Sequence, residues 1–260
     1  MVTPLGAKTG TSLAEIWQRT VAAQVTPPHA LIFDVFGTCV DWRGSMAREG
    51  AALGQRLGIE GVDWVAVADA WRGQYQPQME TVRSGARAWV TLDALHRESL
   101  DTVLARFGLD DVPAAERDAF TDGWRRLDSW PDVSQGLQRL RSRYLLAPNS
   151  NGNIALMARL ARWASLPWDA ILGAEIAQGY KPQPQVYLRS VAALGLRPAQ
   201  VMMVAAHNSD LHAAAACGLQ TAFVPRPLEH GPGQASDLTP EGNFTLVAVD
   251  FADLATQLGC

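Results

Sequence analysis

Residues 31–38 read Leu31-Ile32-Phe33-Asp34-Val35-Phe36-Gly37-Thr38 and decide the fold class. The apolar residues before Asp34 are typical of a strand that is buried on both faces of a parallel sheet. Gly37 permits a tight turn directly after that strand. Because open α/β sheets bind ligands at the carboxyl ends of their strands, the stretch predicts a functional carboxylate at the mouth of a sheet. A helix cap is the alternative role for Asp34.

The rest of the chain shows two different hydrophobic patterns, one in each of two segments. From Trp130 onward, apolar strands alternate with helices, which is typical of parallel βαβ units. Strands are predicted at 144–147, 171–172, 201–204 and 221–224, and helices at 154–163, 185–194 and 211–217. Residues 43–126 instead show helical periodicity without a convincing strand, so we expect an inserted all-helical cap over the sheet. Residues 1–29 are expected to form an N-terminal arm with a short helix.

Length and composition limit the classes of function. A chain of 260 residues with 48% hydrophobic residues favours two domains, and its net charge of -4 gives no indication of a nucleic-acid partner. We find no apolar run of membrane-spanning length and no signal peptide, so we expect a cytoplasmic protein without a membrane partner. The cysteines Cys39, Cys217 and Cys260 lack metal-ligand spacing, and Cys39 is interpreted as a packing residue.

Two polar segments lie in the second half of the chain, one after the strand predicted at 144–147 and one before the helix predicted at 185–194. Ser150 and Asn151 end a buried strand before a helix, where a hydroxyl, an amide and free backbone N–H groups favour an anion site. A simple helix cap is the alternative. Lys181 lies in a loop stiffened by Pro182 and Pro184, so it is held in place and would keep a nearby carboxylate ionised. A solvated surface lysine is the alternative.

A further polar segment follows the strand predicted at 201–204. Asp210 is expected to open the next helix, where it can also act as an N-cap. His207 has an ordinary pKa close to neutrality, which suits a hydrogen-bond partner or a base for water. A structural histidine is the alternative.

These segments, in this order, resemble the motifs of the haloacid dehalogenase superfamily. The phosphatases of that superfamily carry a second Asp two residues after the nucleophile, to protonate a leaving alcohol, and this chain has Phe36 there. The sequence therefore resembles the 2-haloacid dehalogenase branch, whose halide leaving group needs no proton. The resemblance implies a Rossmann-like parallel sheet core of residues 1–42 and 127–260, with an inserted all-helical cap domain of residues 43–126.

The resemblance also implies roles for individual residues. Asp34 would be the nucleophile, Lys181 and Asp210 would hold it, and Thr38 would hydrogen-bond within its loop. Ser150 would bind the substrate carboxylate, and Tyr187 would line the site. Arg72 and Asn151 would receive the halide, although Arg83, Arg87 and Arg97 are further candidates for the arginine, and Trp89 for the pocket wall.

The chain departs from the family pattern directly after the strand predicted at 201–204. Ala205, Ala206 and His207 stand where Ser, Ser and Asn are expected, so His207 would replace the Asn that positions the hydrolytic water. Such a hydrogen-bonding pocket would suit fluoride. Only Asp210 remains of the acidic residues that hold magnesium in phosphatases, so we predict no metal and no cofactor.

The resemblance implies a hydrolase that acts on carbon-halide bonds. Its partner would be a short 2-haloacid, converted to a 2-hydroxyacid through an aspartyl ester, and the enzyme would be a homodimer of the (S)-2-haloacid dehalogenase type. A magnesium-dependent phosphatase of the same superfamily and a noncatalytic relative are the alternatives.

Overall fold

The computed structural model describes residues 27–260, and the helix expected in the N-terminal arm lies outside this range. Within it the strands are β1 (Ala30–Phe33), β2 (Val40–Asp41), β3 (Asp128–Ser129), β4 (Leu145–Ser150), β5 (Leu172–Gly173), β6 (Val201–Ala205), β7 (Gln220–Phe223) and β8 (Leu246–Val247). Six of them form one parallel sheet in the order β5-β4-β1-β6-β7-β8. This confirms the predicted α/β fold class.

The helices divide into two groups along the chain. The first group is α1 (Trp42–Leu57), α2 (Trp64–Gly73), α3 (Tyr75–Arg83), α4 (Leu92–Arg106) and α5 (Ala114–Thr121), followed by a 3-10 turn at Asp122–Arg125. The second group is α6 (Val133–Arg141), α7 (Ile154–Trp163), α8 (Ala174–Ala177), α9 (Pro184–Ala193), α10 (Asn208–Ala216) and α11 (Phe251–Gln257), with a 3-10 turn at Pro198–Gln200.

Strand β1 lies between β4 and β6 in the middle of the sheet, and its residues are buried on both faces. Alternate side chains of a strand point to opposite faces of a sheet. Leu31 and Phe33 accordingly pack in one cluster with Phe251 of α11, whereas Ile32 packs in a second cluster with Tyr187 of α9. Each fully buried apolar side chain of this size contributes about 1.5–3 kcal/mol. The sheet is therefore held from both sides, and its carboxyl edge has a fixed position.

The helices α1 to α5 pack around Trp71, which belongs to the same apolar cluster as Leu31 and Phe33 of β1. The Trp71 ring centroid lies 5.0 Å from that of Phe120 and 5.5 Å from that of Trp124. Helix α2 is capped by Asp63, whose carboxylate accepts hydrogen bonds from two backbone N–H groups of the first turn. The antiparallel pair of β2 and β3, which the sequence did not predict, joins the two ends of this helical segment.

Most predicted boundaries agree with the structure to within about one residue, and two differ by more. Strand β4 continues past residue 147 to Ser150, because Asn149 and Ser150 pair with β5. Helix α10 begins at Asn208, so the expectation that Asp210 opens or caps it is wrong: His207 takes the N-cap position and Asp210 lies in the first turn. The Asn208 N–H is satisfied by Asp237 Oδ1 at 2.7 Å instead. Asp210 is thereby free to face the neighbouring site.

No helix among residues 27–260 has both the length and the apolar character required to cross a bilayer.

Candidate active site

The site lies at the carboxyl edge of the three central strands. Asp34 follows β1, Asn151 follows β4, and His207 follows β6. Because β4, β1 and β6 are parallel neighbours, the loops after them emerge side by side. Lys181 comes from the loop before α9. The fold thus brings four segments of distant sequence to one place.

Asp34 is buried and has partners for both carboxylate oxygens. Oδ1 accepts a hydrogen bond from Lys181 Nζ at 2.8 Å. Oδ2 accepts one from Thr38 Oγ1 at 2.8 Å and lies 3.2 Å from His207 Nδ1. Burial alone would raise the pKa of Asp34, but Lys181 and His207 outweigh it and hold that pKa well below its ordinary value. Asp34 is therefore an ionised carboxylate beneath the helical segment.

Lys181 joins Asp34 to a second buried carboxylate. Its ammonium also donates to Asp210 Oδ2, while Asp210 Oδ1 accepts a hydrogen bond from Tyr187 at 2.5 Å. Burial opposes the charge of Lys181, yet the two carboxylates raise its pKa above the ordinary value. Burial is also the main reason why the pKa of Asp210 is raised, with the charge of Asp34 adding to it. Asp210 is therefore a better proton acceptor than an exposed carboxylate.

Thr38 ties the loop after β1 to the loop after β6. The Ala206 N–H donates to Thr38 Oγ1 at 2.9 Å, so the hydroxyl proton of Thr38 is directed to Asp34. Cys39 is fully buried, as expected of a packing residue, and its thiol donates to the backbone carbonyl of Asp34 at 3.2 Å. Burial raises the pKa of the Cys39 thiol well above its ordinary value.

His207 lies between two carboxylates. Its Nδ1 faces Asp34, and its Nε2 lies 2.8 Å from Glu229 Oε2. Burial would lower the pKa of His207, but Glu229 and Asp34 together raise it well above the ordinary value. Each ring nitrogen of His207 thus lies within ion-pair distance of a carboxylate, an arrangement that favours the charged imidazole.

Glu229 is one of the site residues that the sequence analysis missed, together with Trp42 and Tyr75. It is 1% exposed, and its Oε1 accepts a hydrogen bond from Trp42 Nε1 at 3.0 Å. Its carboxylate lies so close to Gly37 that a Cβ on that glycine would meet Oε1 at 2.1 Å. Glu229 follows β7, the neighbour of β6, in a segment for which the sequence analysis named no functional residue. A search for polar residues after each predicted strand of the sheet would have included Glu229.

Arg72 reaches the site from α2 within a box of aromatic rings. Its Cζ lies 3.9 Å from the ring centroid of Tyr75, 5.2 Å from that of Trp42 and 5.8 Å from that of Phe36. Its buried Nη1 has no hydrogen-bond partner among residues 27–260. An unpaired buried donor of this kind can bind an anion. The aromatic box therefore presents a cation to the space above Asp34.

The other arginines considered from the sequence are engaged elsewhere. Arg83 pairs with Glu80, Arg87 with Glu98, and Arg97 with Asp118. Arg72 therefore differs from these three arginines, because it has no carboxylate partner within the described part of the chain.

Ser150 and Asn151 occupy different positions relative to the open space. Asn151 lines it, and its Oδ1 accepts a hydrogen bond from the Lys181 N–H at 2.8 Å. Ser150 is fully buried, its Oγ accepts a hydrogen bond from the Gly152 N–H at 3.1 Å, and it is not among the cavity-lining side chains of residues 27–260. At the start of α7 the Ile154 N–H donates to Glu175 at 2.6 Å, so this N–H is engaged within the protein. The role of Ser150 stays a prediction.

A cavity of about 570 Å³ opens above Asp34. Its walls come from both halves of the molecule: Asp34, Phe36, Trp42, Asp69, Arg72, Gly73, Tyr75, Gln76, Asn151, Lys181, Pro182, Tyr187, His207, Ser209, Asp210, Glu229, His230 and Asp237. Trp89, considered from the sequence as a wall residue, packs instead on Tyr180 with ring centroids 4.8 Å apart. Within residues 27–260, no group of three or more His, Cys, Asp and Glu side chains is arranged to hold a metal ion.

The chain was compared with known proteins. Residues 28–218 match the family of haloacid dehalogenase-like hydrolases. The (S)-2-haloacid dehalogenase 4A of Burkholderia cepacia is 26% identical over 224 residues, which cover 81% of this chain and 93% of that protein. A solved structure of a defluorinating L-2-haloacid dehalogenase is 48% identical, with a TM-score of 0.87, and the match covers 90% of this chain and 96% of that one. Another L-2-haloacid dehalogenase structure is 48% identical, with a TM-score of 0.86 and coverage of 89% and 98%.

Proposed function

The chain belongs to the haloacid dehalogenase-like hydrolases, and from that premise we propose that it converts short (S)-2-haloacids to 2-hydroxyacids by hydrolysis. This proposal depends on one observation: an ionised Asp34 faces the cavity, and Phe36, two positions later in the chain, lines the same cavity. Phe36 has no proton to give, so a leaving group that needs none fits the site.

The first half-reaction is a displacement at carbon. Asp34 attacks the halogen-bearing carbon, a new C–O bond forms, and the carbon-halogen bond breaks with its electron pair on the halide. Lys181 and Thr38 orient the Asp34 carboxylate through their hydrogen bonds. Arg72 and Asn151 receive the halide, which is supported by the unpaired Nη1 of Arg72 and by the position of Asn151 at the cavity wall. One displacement inverts the configuration at a stereocentre.

The second half-reaction is hydrolysis of the aspartyl ester. Water adds to the Asp34 carbonyl carbon, and Asp210 accepts a proton from that water. The raised pKa of Asp210, which results first from its burial, supports this assignment. The product leaves as a 2-hydroxyacid, and Asp34 is restored as a carboxylate. The balance of the reaction is one halide ion and one proton released for each water consumed.

Fluoroacetate belongs among the expected substrates. A relative that is 48% identical over most of both chains is named a defluorinating enzyme. Fluoride is a strong hydrogen-bond acceptor, so a pocket with an unpaired guanidinium donor at Arg72 and an amide at Asn151 suits it.

The test compares halide release from chloroacetate and fluoroacetate, and from the two enantiomers of 2-chloropropionate. We expect release from both acetates and from the (S) enantiomer only. Hydrolysis of a phosphate ester with added magnesium, in the absence of any halide release, would replace the proposal with the phosphatase alternative.

The mechanism is tested separately by a single turnover in heavy-oxygen water. Because water attacks the ester carbonyl, the label should appear first in Asp34 and only later in product. Label that appears in the first hydroxyacid released would contradict a covalent intermediate.

The resemblance to the 2-haloacid dehalogenases also supports a homodimer in the cytoplasm. Light scattering after size exclusion should give twice the 28.1 kDa of the chain, and cell fractionation should recover activity with cytoplasmic markers. A mass equal to one chain would contradict the homodimer.

A further inference from the structure

The two carboxylate oxygens of Asp34 have unequal surroundings. Oδ1 has one close donor, Lys181 Nζ at 2.8 Å. Oδ2 has two, Thr38 Oγ1 at 2.8 Å and His207 Nδ1 at 3.2 Å. An oxygen with fewer donors close to it keeps a lone pair free for attack. Oδ1 is therefore the better nucleophile, and Oδ2 would remain the carbonyl oxygen of an ester formed at Asp34.

Both groups that face Oδ2 are arranged as donors. Thr38 Oγ1 already accepts the Ala206 N–H at 2.9 Å, which leaves its own proton for Asp34. His207 has a carboxylate at each ring nitrogen, so both nitrogens carry a proton. Oδ2 thus faces one neutral and one cationic donor before any reaction begins.

We infer that Thr38 and His207 form an oxyanion site for Asp34 Oδ2 during ester hydrolysis, and that Glu229 is the positioning residue that keeps His207 charged and oriented. The inference rests on the proposed dehalogenase function, because it concerns the ester that this reaction forms. It gives His207 a role different from that of a base, and it gives a role to Glu229, which does not touch the substrate.

The step has a simple balance. Water adds its oxygen to Asp34 Cγ, one proton passes to Asp210, and the π pair of the Cγ–Oδ2 bond moves onto Oδ2. When the intermediate collapses, this pair returns and the Cγ–Oδ1 bond breaks. Oδ1 leaves as the hydroxyl oxygen of the product and takes the proton from Asp210. The second proton of water is released to solvent as Asp34 ionises. Donors that are already in place at Oδ2 stabilise the charge without reorganisation.

Glu229 is needed because esterification removes the charge of Asp34. His207 then has one carboxylate left beside it, and a half-buried imidazolium without a partner would lose its proton. Glu229 is 1% exposed and is fixed by Trp42 Nε1 at 3.0 Å and by its close approach to Gly37. The other charged or titratable groups that face the pair are Arg72, Lys181, Asp34 and His230.

The first experiment is a rapid-quench single turnover of chloroacetate by the full chain with His207→Ala. We expect ester formation within a few-fold of wild type, and ester hydrolysis slower by about 10²–10³-fold, as for loss of one oxyanion donor. Intact-protein mass should show the carboxymethyl ester accumulating. His212→Ala, an exposed histidine on the same helix α10, is the matched control and should leave both rates unchanged. Equal slowing of both steps, or slowing of ester formation alone, would overturn the inference.

The second experiment uses Glu229→Gln, which keeps the size of the side chain and one of its two acceptor oxygens but removes its charge. We expect the hydrolysis rate of this variant to fall as pH rises through neutrality, because His207 then loses its proton, while wild type stays level over the same range. A rate that rises with pH would assign His207 as a base, and a level profile would remove the role of Glu229; either result overturns the inference. Glu60→Gln, at an exposed position, is the matched control.

Two further comparisons distinguish a failure of this inference from a loss of fold and from a failure of the proposed function. Thermal unfolding of each variant excludes a loss of fold as the cause of a slow step. If wild type forms no ester with any haloacid, both the proposed function and the inference fail. If wild type forms the ester on Asp34 and the variants hydrolyse it normally, the inference alone fails.

Discussion

The ammonium of Lys181 lies 2.8 Å from Asp34 Oδ1, although 147 residues separate them in the chain. The same ammonium donates to Asp210, so one buried cation serves two buried carboxylates. His207 supplies a second positive charge at the other oxygen of Asp34. Lys181 and His207 therefore hold the Asp34 carboxylate in place and keep it ionised in a buried environment.

Lys181→Met should both destabilise the protein and inactivate it. The variant leaves Asp34 and Asp210 buried beside each other without their shared cation, which typically costs about 3–5 kcal/mol in free energy of unfolding. Urea unfolding followed by circular dichroism measures the loss. An unfolding free energy equal to that of wild type would show that the carboxylates find another partner.

Asp34→Asn should abolish haloacid turnover, by about 10⁴-fold or more, because the amide is no nucleophile. Halide release is the measurement, and isothermal titration with chloroacetate checks that binding persists. Asp110→Asn, at an exposed position, is the control and should retain full turnover. Retained turnover in Asp34→Asn would remove Asp34 as the nucleophile.

Arg72→Gln should lower kcat/KM for chloroacetate by about 10²-fold, since one preorganised cationic donor to the leaving halide is lost. Arg97→Gln removes a cap arginine that is paired with Asp101 and Asp118 and should have little effect on turnover. Steady-state halide release compares the two variants. Equal losses in both would mean that the cap was disturbed as a whole.

Gly37→Ala should slow ester hydrolysis through displacement of Glu229. The new Cβ would meet the Glu229 carboxylate at 2.1 Å, and the positive φ of +89° adds a backbone cost of about 1–2 kcal/mol. Gly85→Ala has a similar φ of +78° and open space around it, so it reproduces the backbone strain alone. The difference between the two variants in single-turnover hydrolysis measures the effect of moving Glu229. No difference would contradict it.

The acid side of the pH profile should be flat where an ordinary aspartate titrates. The pKa of Asp34 is depressed, so its carboxylate stays ionised above that value and gains a proton only as pH falls below it. The rate of ester formation should therefore not decline as pH falls through about 3.9, the ordinary Asp value. Rapid-quench rates, with circular dichroism to verify the fold at each pH, test this. A decline centred on the ordinary value would show that Lys181 and His207 leave Asp34 unshifted.

Sequence patterns were sufficient for the main strands and helices of the parallel sheet and for part of the site. The apolar run before Asp34 and the βαβ alternation predicted the parallel sheet, and helix α7 agrees with its predicted bounds 154–163. The sequence also predicted Lys181, Thr38 and Tyr187 as site residues, Lys181 from its proline-flanked loop and all three through the resemblance to the dehalogenase motifs. Their hydrogen bonds to Asp34 and Asp210 were then found in the structure.

By itself, the sequence determined the α/β class, the buried strand that ends at Asp34 and the absence of a second acid at Phe36, because strand and turn preferences are local properties of the chain. Only the tertiary structure decided that Glu229 meets His207, that Arg72 rather than another arginine lacks a carboxylate partner in the described chain, and that Ser150 lies outside the cavity wall. The physical reason is that these contacts depend on strand order and on packing between segments far apart in sequence, which no local pattern encodes.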